Sequence, residues 1–234
     1  MSNRRNPLII AHRGAAVLVR CPENTVAAFR RARAVASDWV ELDVRQTADA
    51  KTAIHHDPHL ADGRLIAALR RDELPTEVPD LDEALAACVG MGVNVEIKNF
   101  ANEPDFDATN WLSQAVVEAT RRADPPVSVL VSSFNMDAID RVHALAPRLP
   151  TALLTYVLDD PLATVTRCAT SGHRALHPYD ATVDRALVDA AHERGLAVNV
   201  WTVDAPDRIA ALVTLGVDGI CTNVPDIARS VLEA

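Results

Sequence analysis

Short runs rich in Val, Ile and Leu recur along the chain, separated by longer stretches dominated by Ala and Leu. The runs at 8–11, 39–43, 93–97, 128–132, 151–155, 175–177, 197–201 and 218–221 read as strands. The stretches near 25–36, 81–89, 107–122, 136–145, 160–171, 182–194, 206–214 and 225–233 read as helices. Local signals support several of these. Asp80 followed by Glu83 has the spacing of a reciprocal helix-start box. Gly195 stands where a left-handed terminator ends a helix, and Pro206 follows a polar start in Thr202-Val203-Asp204-Ala205.

Strands that alternate with helices predict parallel βαβ units. Eight of each, with no linker and no shift in composition, predict one α/β domain over 1–234, a closed (β/α)8 TIM-type barrel. An open doubly wound sheet is the structural alternative, and it would carry a glycine-rich first turn. His12-Arg13-Gly14 has no such pattern around it. One connection is long: residues 46–79 show no clear helix, although 52–55 read as a short extra strand. Barrels keep their chemistry in the loops that follow the strands, so a long one is a candidate for function.

The chain has 234 residues, 49% hydrophobic and 24% charged. A barrel needs about 250 residues, so a compact one fits. Aromatic residues make up only 4%, which predicts an aliphatic core. A net charge of −9 with a pI near 5.3 repels nucleic-acid backbones and anionic membrane surfaces. A small phosphate-bearing substrate is compatible only if a cleft inverts that charge locally. Cys21, Cys88, Cys168 and Cys221 are scattered and read as reduced thiols, with Cys21 set apart by its place beside the motifs below. Only four apolar residues, 8–11, follow the basic N-terminus, too few for a secretory signal or a membrane span. The expectation is a cytoplasmic protein without stable membrane association, its oligomeric state open.

Polar residues at the C-terminal ends of barrel strands face the active site. The first predicted strand runs into His12-Arg13-Gly14, the second carries Glu41 and Asp43, and the third carries Glu96 and Lys98. Each pair is spaced i, i+2, so its members point to one side of their strand. Three carboxylates aimed into one mouth repel unless a cation sits among them, and oxygen ligands suit Mg2+, Ca2+ or Mn2+. One such acidic pair alone would more simply meet Arg or Lys from a neighbouring helix. The loop after the second strand holds His55-His56-Asp57-Pro58, and hydrolysis needs one group to take a proton and another to give one. Pro22-Glu23-Asn24-Thr25 reads as a helix start, with Asn24 or Thr25 as its cap. His143, His173 and His192 read as surface or packing residues, and His177 as a residue at a strand end that either lines the pocket or faces away from it. The clusters Arg30-Arg31 and Arg70-Arg71-Asp72-Glu73 read as solvated faces.

Several of these runs stand together in a recognisable order. Ala11-His12-Arg13-Gly14, Pro22-Glu23-Asn24-Thr25, Glu41-Leu42-Asp43-Val44 and His56-Asp57 are followed by Glu96-Ile97-Lys98 and Ser132-Ser133-Phe134. Val200-Trp201-Thr202-Val203 and Gly216-Val217-Asp218-Gly219-Ile220 complete the set, which spans essentially the whole chain. It resembles the glycerophosphodiester phosphodiesterase family. The resemblance implies a TIM-type barrel that hydrolyses glycerophosphodiesters to glycerol 3-phosphate and an alcohol with a divalent cation. It implies Glu41, Asp43 and Glu96 as metal ligands, His12 and His56 as the acid–base pair, and Arg13 and Lys98 as phosphate-binding cations. Trp201 takes the place of an aromatic beside the substrate, and the implied route is attack by the substrate's own glycerol hydroxyl through a cyclic phosphate.

Three positions depart from the family pattern. Asp49-Ala50 replaces the usual Asp-Gly, Leu60-Ala61-Asp62-Gly63-Arg64 replaces an Arg/Thr-containing stretch, and Thr222-Asn223 stands where Thr-Asp is common. A lysophospholipase D acting on lysolipids is a close alternative, but no hydrophobic rim is visible beyond scattered leucines. A non-catalytic phosphate-ligand-binding barrel is the other, and it would have no need of two histidines and three carboxylates.

Overall fold

The computed structural model describes residues 6–15 and 21–233. The basic N-terminal segment 1–5 lies outside the described residues, as do 16–20 and Ala234. Eight parallel strands close into a barrel: β1 (Leu8–Ala11), β2 (Trp39–Gln46), β4 (Gly92–Ile97), β5 (Ser128–Ser133), β6 (Thr151–Thr155), β7 (Ala175–Pro178), β8 (Ala197–Val200) and β9 (Gly219–Thr222). Closure comes from β1, which pairs with β2 through Ile10↔Trp39 and with β9 through Leu8↔Gly219. Eight helices cover the outside: α1 (Val26–Ala34), α2 (Leu81–Ala87), α3 (Trp111–Arg122), α4 (Met136–Leu145), α5 (Pro161–Thr170), α6 (Arg185–Glu193), α7 (Pro206–Leu215) and α8 (Pro225–Glu233). The predicted TIM-type architecture is therefore the observed one.

The predicted extra strand is β3 (Thr52–Ile54), which pairs antiparallel with the end of β2. It returns through a tight turn in which Ala50 takes φ 53°, so the turn closes in the left-handed region without glycine. The rest of the long connection builds a small core of its own from Ala53, Leu60, Ile66, Leu74 and Val78. Arg71 is not simply solvated, because its guanidinium donates to the Val78 carbonyl at 2.9 Å and to Glu83 at 3.2 Å. That arginine ties the connection to α2.

The apolar mass lies between the sheet and the helices, where Val40, Leu42, Val44, Val93 and Val95 meet Phe29, Leu85 and Val116. On the opposite face, positions of the other parity point into the lumen. There the expected aliphatic filling holds only at the base, where Leu130, Ala152 and Ala175 pack with Trp39 and Ala197. Gly92 makes room for Trp39: a Cβ there would lie 2.1 Å from the indole. Above this plug, the lumen is mixed: Asn94, His177 and Asn199 lie buried with Ile10, Leu154 and Cys221 around a cavity of about 20 Å³. The aliphatic core expected from composition is found between sheet and helices and at the base; the expectation is corrected in the lumen alone, where polar side chains take part of the middle of the barrel.

Caps set where several helices begin. Asp80 and Glu83 form the reciprocal box at the start of α2, and Gly195 follows α6 at φ 73°. Thr25 caps α1 by accepting from the Ala28 amide at 3.2 Å. The α3 helix starts at 111 rather than 107, because the Asp107 carboxylate gathers the Thr109 and Trp111 amides into a turn first. No side chain caps α7, whose N-cap is Ala205. The acid one residue earlier, Asp204, is turned toward the barrel mouth instead.

Candidate active site

The carboxylates occupy adjacent strands in register. Asp43 of β2 faces Glu96 of β4, and Glu41 faces Asn94. One oxygen from each of Glu41, Asp43 and Glu96 lies within 4.8 Å of the others, and all three residues are buried. Two cations share the cluster. Lys98 Nζ lies 2.9 Å from Glu96 and 3.3 Å from Asp43, and Arg13 Nε lies 3.4 Å from Asp43. Arg13 also pairs with Glu23 at 2.7 Å, and its backbone amide donates to Glu41 at 2.8 Å.

The backbone after β1 is bent to make these contacts. Arg13 and Gly14 both take positive φ, 51° and 84°. A Cβ at Gly14 would lie 2.7 Å from the Ala28 backbone, so the glycine admits α1 at this distance. Asn24, read from the sequence as a cap, does something else: its amide nitrogen donates to Asp43 at 2.8 Å, and its oxygen accepts from the Asp43 amide at 3.2 Å.

The three carboxyls are driven apart in acidity. Burial opposes ionisation of Asp43, but Lys98, Arg13 and His56 prevail and hold its pKa at about 2. Burial lifts Glu96 to about 6, against the pull of Lys98. Burial, then Asp43 and Glu96, push Glu41 well above the usual carboxylate range. Glu41 Oε1 is also a buried oxygen without a hydrogen-bond partner. An unpartnered carboxylate oxygen beside two more hard oxygen donors suits a divalent cation such as Mg2+, Ca2+ or Mn2+. These residues fit one.

Two histidines flank the cluster. His12 Nε2 lies 4.0 Å from Glu41, and its Nδ1 lies 2.8 Å from Asn223 Oδ1. The Asn223 amide nitrogen donates to Asp204 at 2.8 Å, which fixes its oxygen toward His12. An amide oxygen only accepts, so His12 carries its proton on Nδ1 and turns a bare Nε2 to the cluster. Burial and then Arg13 hold its pKa below the ordinary histidine value. His56 Nδ1 meets the carboxylate of Asp57 at 2.6 Å. Burial lowers His56 too, while Asp43 opposes the shift. His55 instead turns to the Asp57 carbonyl at 2.9 Å, so of the adjacent pair it is His56 whose ring pairs with a carboxylate.

The rest of the mouth is aromatic, beginning at Phe100, whose ring centroid lies 5.2 Å from Lys98 Nζ. Phe100, Phe134, Tyr156, Tyr179 and Trp201 follow the ends of β4, β5, β6, β7 and β8 in turn. They are five of the chain's nine aromatic residues (three Trp, two Tyr and four Phe). Their rings touch in sequence: Phe100–Phe134 at 5.2 Å, Phe134–Trp201 at 5.4 Å, Trp201–Tyr179 at 5.5 Å and Tyr179–Tyr156 stacked at 4.7 Å. Tyr156 and Val157 are 59% and 64% exposed. The mouth thus has the apolar rim that the sequence did not show. Trp201 is held by a hydrogen bond of 2.8 Å from its indole nitrogen to the His177 carbonyl.

His12, Arg13, Glu41, Asp43, His56, Glu96, Lys98 and Trp201 all meet at this end of the barrel. His177 lies below it, buried, with Asn199 at 2.9 Å from its Nε2, and burial drops its pKa to about 3. It stays neutral and packs the lumen. His173, one of the histidines read as surface or packing, is buried between Thr151 at 2.8 Å and Asp140 at 3.1 Å, remote in sequence from the motifs. Cys221 lines the same inner cavity, and Cys21 is a half-buried free thiol. Sequence reasoning missed Asn223 as the partner of His12 and Asp204 as its anchor. It also missed Arg45, whose guanidinium donates to the His56 carbonyl at 2.8 Å.

Residues 12–227 match the model of the glycerophosphoryl diester phosphodiesterase family. A glycerophosphodiester phosphodiesterase of Caldanaerobacter subterraneus subsp. tengcongensis is 28% identical over 94% of this chain and 95% of its own length. One from Bacillus altitudinis is 29% identical over 96% of this chain and 98% of its own. Among solved structures, an Oleispira antarctica phosphodiesterase in complex with the product sn-glycerol-3-phosphate superposes with a TM-score of 0.88 at 26% identity, covering 98% of both chains. A glycerophosphodiester phosphodiesterase from Parabacteroides distasonis gives 0.87 at 23% identity over 99% of this chain and 98% of its own, a likeness of fold.

Proposed function

The chain belongs to the glycerophosphoryl diester phosphodiesterase family, and from that premise we propose that it hydrolyses glycerophosphodiesters to glycerol 3-phosphate and an alcohol in a divalent-cation-dependent reaction. The observation that carries the reading is the convergence, at one barrel mouth, of three buried carboxylates and two cations flanked by two histidines. A neighbour of this fold holds sn-glycerol-3-phosphate as product, which supports the same product here.

Glu41, Asp43 and Glu96 would hold the cation, which when bound polarises a phosphoryl oxygen and lowers the pKa of a coordinated hydroxyl. Arg13 and Lys98 face the same space and neutralise charge that gathers on phosphorus oxygens in the transition state. His12, neutral with its free Nε2 toward the cluster, takes the proton of the attacking hydroxyl. His56 gives a proton to the departing alkoxide, because its Asp57 carboxylate supports the imidazolium better than Asn223 supports that of His12. Asp204 and Asn223 hold the His12 ring.

The aromatic arc faces the arms of the diester. It gives a specific reason to keep a second reading, hydrolysis of lysophospholipids, in which an acyl-bearing arm lies along Tyr156 and Val157. Among the described residues no helix is long and apolar enough to cross a membrane. Purified protein assayed with glycerophosphocholine and with lysophosphatidylcholine, with Mg2+, Ca2+ or Mn2+ and with a chelator, tests both readings. Release of glycerol 3-phosphate from the first substrate supports the main one. Binding of both without turnover of either would leave only a phosphate-ligand-binding barrel.

A further inference from the structure

Positions 41, 43 and 45 of β2 share one side of the strand. The first two carry the carboxylates described above, and the third is an arginine with no solvent exposure. Its donors go to two loops. Nε donates to the His56 carbonyl at 2.8 Å, and Nη2 donates to the same oxygen. Nη1 pairs with Asp105 at 2.7 Å and Glu103 at 2.9 Å, both in the connection between β4 and α3. The segment is pinned from its other end as well, since the His55 amide donates to the Asp43 carbonyl at 3.0 Å. Arg45 makes no hydrogen bond to either ring nitrogen of His56, so its hold on that residue is through the backbone.

We propose that Arg45 is a positioning residue for His56, a clamp that fixes the histidine's main chain against β2 so that its ring meets the carboxylate cluster. Two acids are enough to balance the buried guanidinium, yet two of its N–H groups are spent on one carbonyl. A planar guanidinium places two N–H donors on one oxygen in this way, whereas a lysine ammonium in its place offers a point charge. The proposal rests on the reading of His56 as the acid. A displacement of about 1 Å in such a group costs on the order of 10²-fold in rate.

The test uses Arg45→Met and Arg45→Lys, each alone and combined with His56→Ala. The readouts are kcat and KM on glycerophosphocholine and the NMR signals of 13Cε1-labelled histidine, with the His56 signal assigned from His56→Ala. Both Arg45 variants are expected to lose roughly 10–10²-fold in kcat with KM nearly unchanged. In the Arg45→Met background, adding His56→Ala is expected to cost far less than the ~10²–10⁴-fold it costs alone, because residues that act as a unit are not additive. The His56 signal should move or broaden in both variants. Arg45→Lys keeps the charge beside Asp105 and Glu103, so it carries the test if the Met variant does not fold. Full multiplication of the two losses, a loss confined to KM, or an unchanged His56 signal would overturn the proposal. If His56→Ala alone costs nothing, the acid assignment fails instead, and the NMR signal decides the clamp by itself.

Discussion

Replacing Glu41 by Gln removes one negative charge from the carboxylate cluster and almost no volume. Without a divalent cation, Glu41 is buried beside Asp43 and Glu96, and its Oε1 has no partner. Burial and then those two neighbours raise its carboxyl pKa well above the ordinary value. Folding therefore favours the protonated form: the contribution is intact at acid pH, and stability is lost as pH rises from the unfolded-chain pKa toward the raised one. Near neutral pH the carboxyl is a cost, on the order of 1–3 kcal/mol for a buried polar group left unsatisfied. A Gln amide relieves it, and its nitrogen can donate to the neighbouring carboxylates. For a chain of this size about 1 kcal/mol moves Tm by ~2–4 °C, so under chelator Glu41→Gln should melt roughly 2–12 °C above the wild type. A cation at about a hundred times its Kd adds ~2.7 kcal/mol to the protein that binds it. Added Mg2+, Ca2+ or Mn2+ should therefore raise the wild-type Tm and leave the variant nearly unmoved, closing or reversing the gap. Thermal melts of both proteins across pH, with chelator and with each cation, make the measurement. A variant no more stable than the wild type under chelator, or an equal response of both to the cation, would refute the reasoning; so would full wild-type turnover after rigorous metal removal.

Replacing either His12 or His56 by Ala should lower turnover by roughly 10²–10⁴-fold, measured as kcat on a glycerophosphodiester, and near-native rates in both would remove the acid–base pair. Asn223→Asp places a carboxylate on His12 Nδ1 and raises a pKa that burial and Arg13 now hold low, so the acid limb of the pH–rate curve should move to higher pH. An unmoved limb would mean that His12 is not the base. Lys98→Ala should depress kcat/KM by similar factors on at least three glycerophosphodiesters, whereas Trp201→Ala should change the ratio between a choline and an ethanolamine ester by the ~0.5–2 kcal/mol of a cation–π contact. Losses that are selective in the first and uniform in the second would reverse the roles.

The barrel was legible because its strands are short apolar runs separated by helices with ordinary start and stop signals. Their boundaries fell within a few residues of those observed, and the largest miss, at α3, traces to the Asp107 turn that delays the helix. The polar part of the lumen was not legible. Composition reports mostly the layer between sheet and helices, which is aliphatic and larger, and it conceals Asn94, His177 and Asn199 inside. The aromatic arc escaped for a related reason: residues at 100, 134, 156, 179 and 201 look scattered until closure sets successive strand ends side by side.

For the site, parity along a strand placed Glu41 with Asp43 and Glu96 with Lys98 correctly. It could as well have placed Arg45, but nothing local marks the acidic partners of that side chain, which lie 58 and 60 residues on. Asn223 was read as a departure from a family pattern, and its meaning depends on β9 closing against β1, which brings it to a histidine 211 residues away. Such contacts follow from barrel closure and leave no periodic trace.

The acidic chain posed a problem for a phosphate substrate, because the site has to invert the sign of the whole protein locally. The side chains alone do not do it. Arg13 and Lys98 are outweighed by Glu41, Asp43 and Glu96, with Glu23 a further acid on Arg13. Protonating Glu41 would bring the inner group of five only to neutrality. His12, held below its ordinary pKa, adds no positive charge near neutral pH. A bound divalent cation, by contrast, would turn the same five groups net positive and give the unpartnered Glu41 oxygen a cation to coordinate. The electrostatic requirement set by a phosphate substrate and the unsatisfied oxygen at Glu41 would thus be relieved by one ion, which is the physical reason to expect phosphate binding and cation binding to be coupled in this protein.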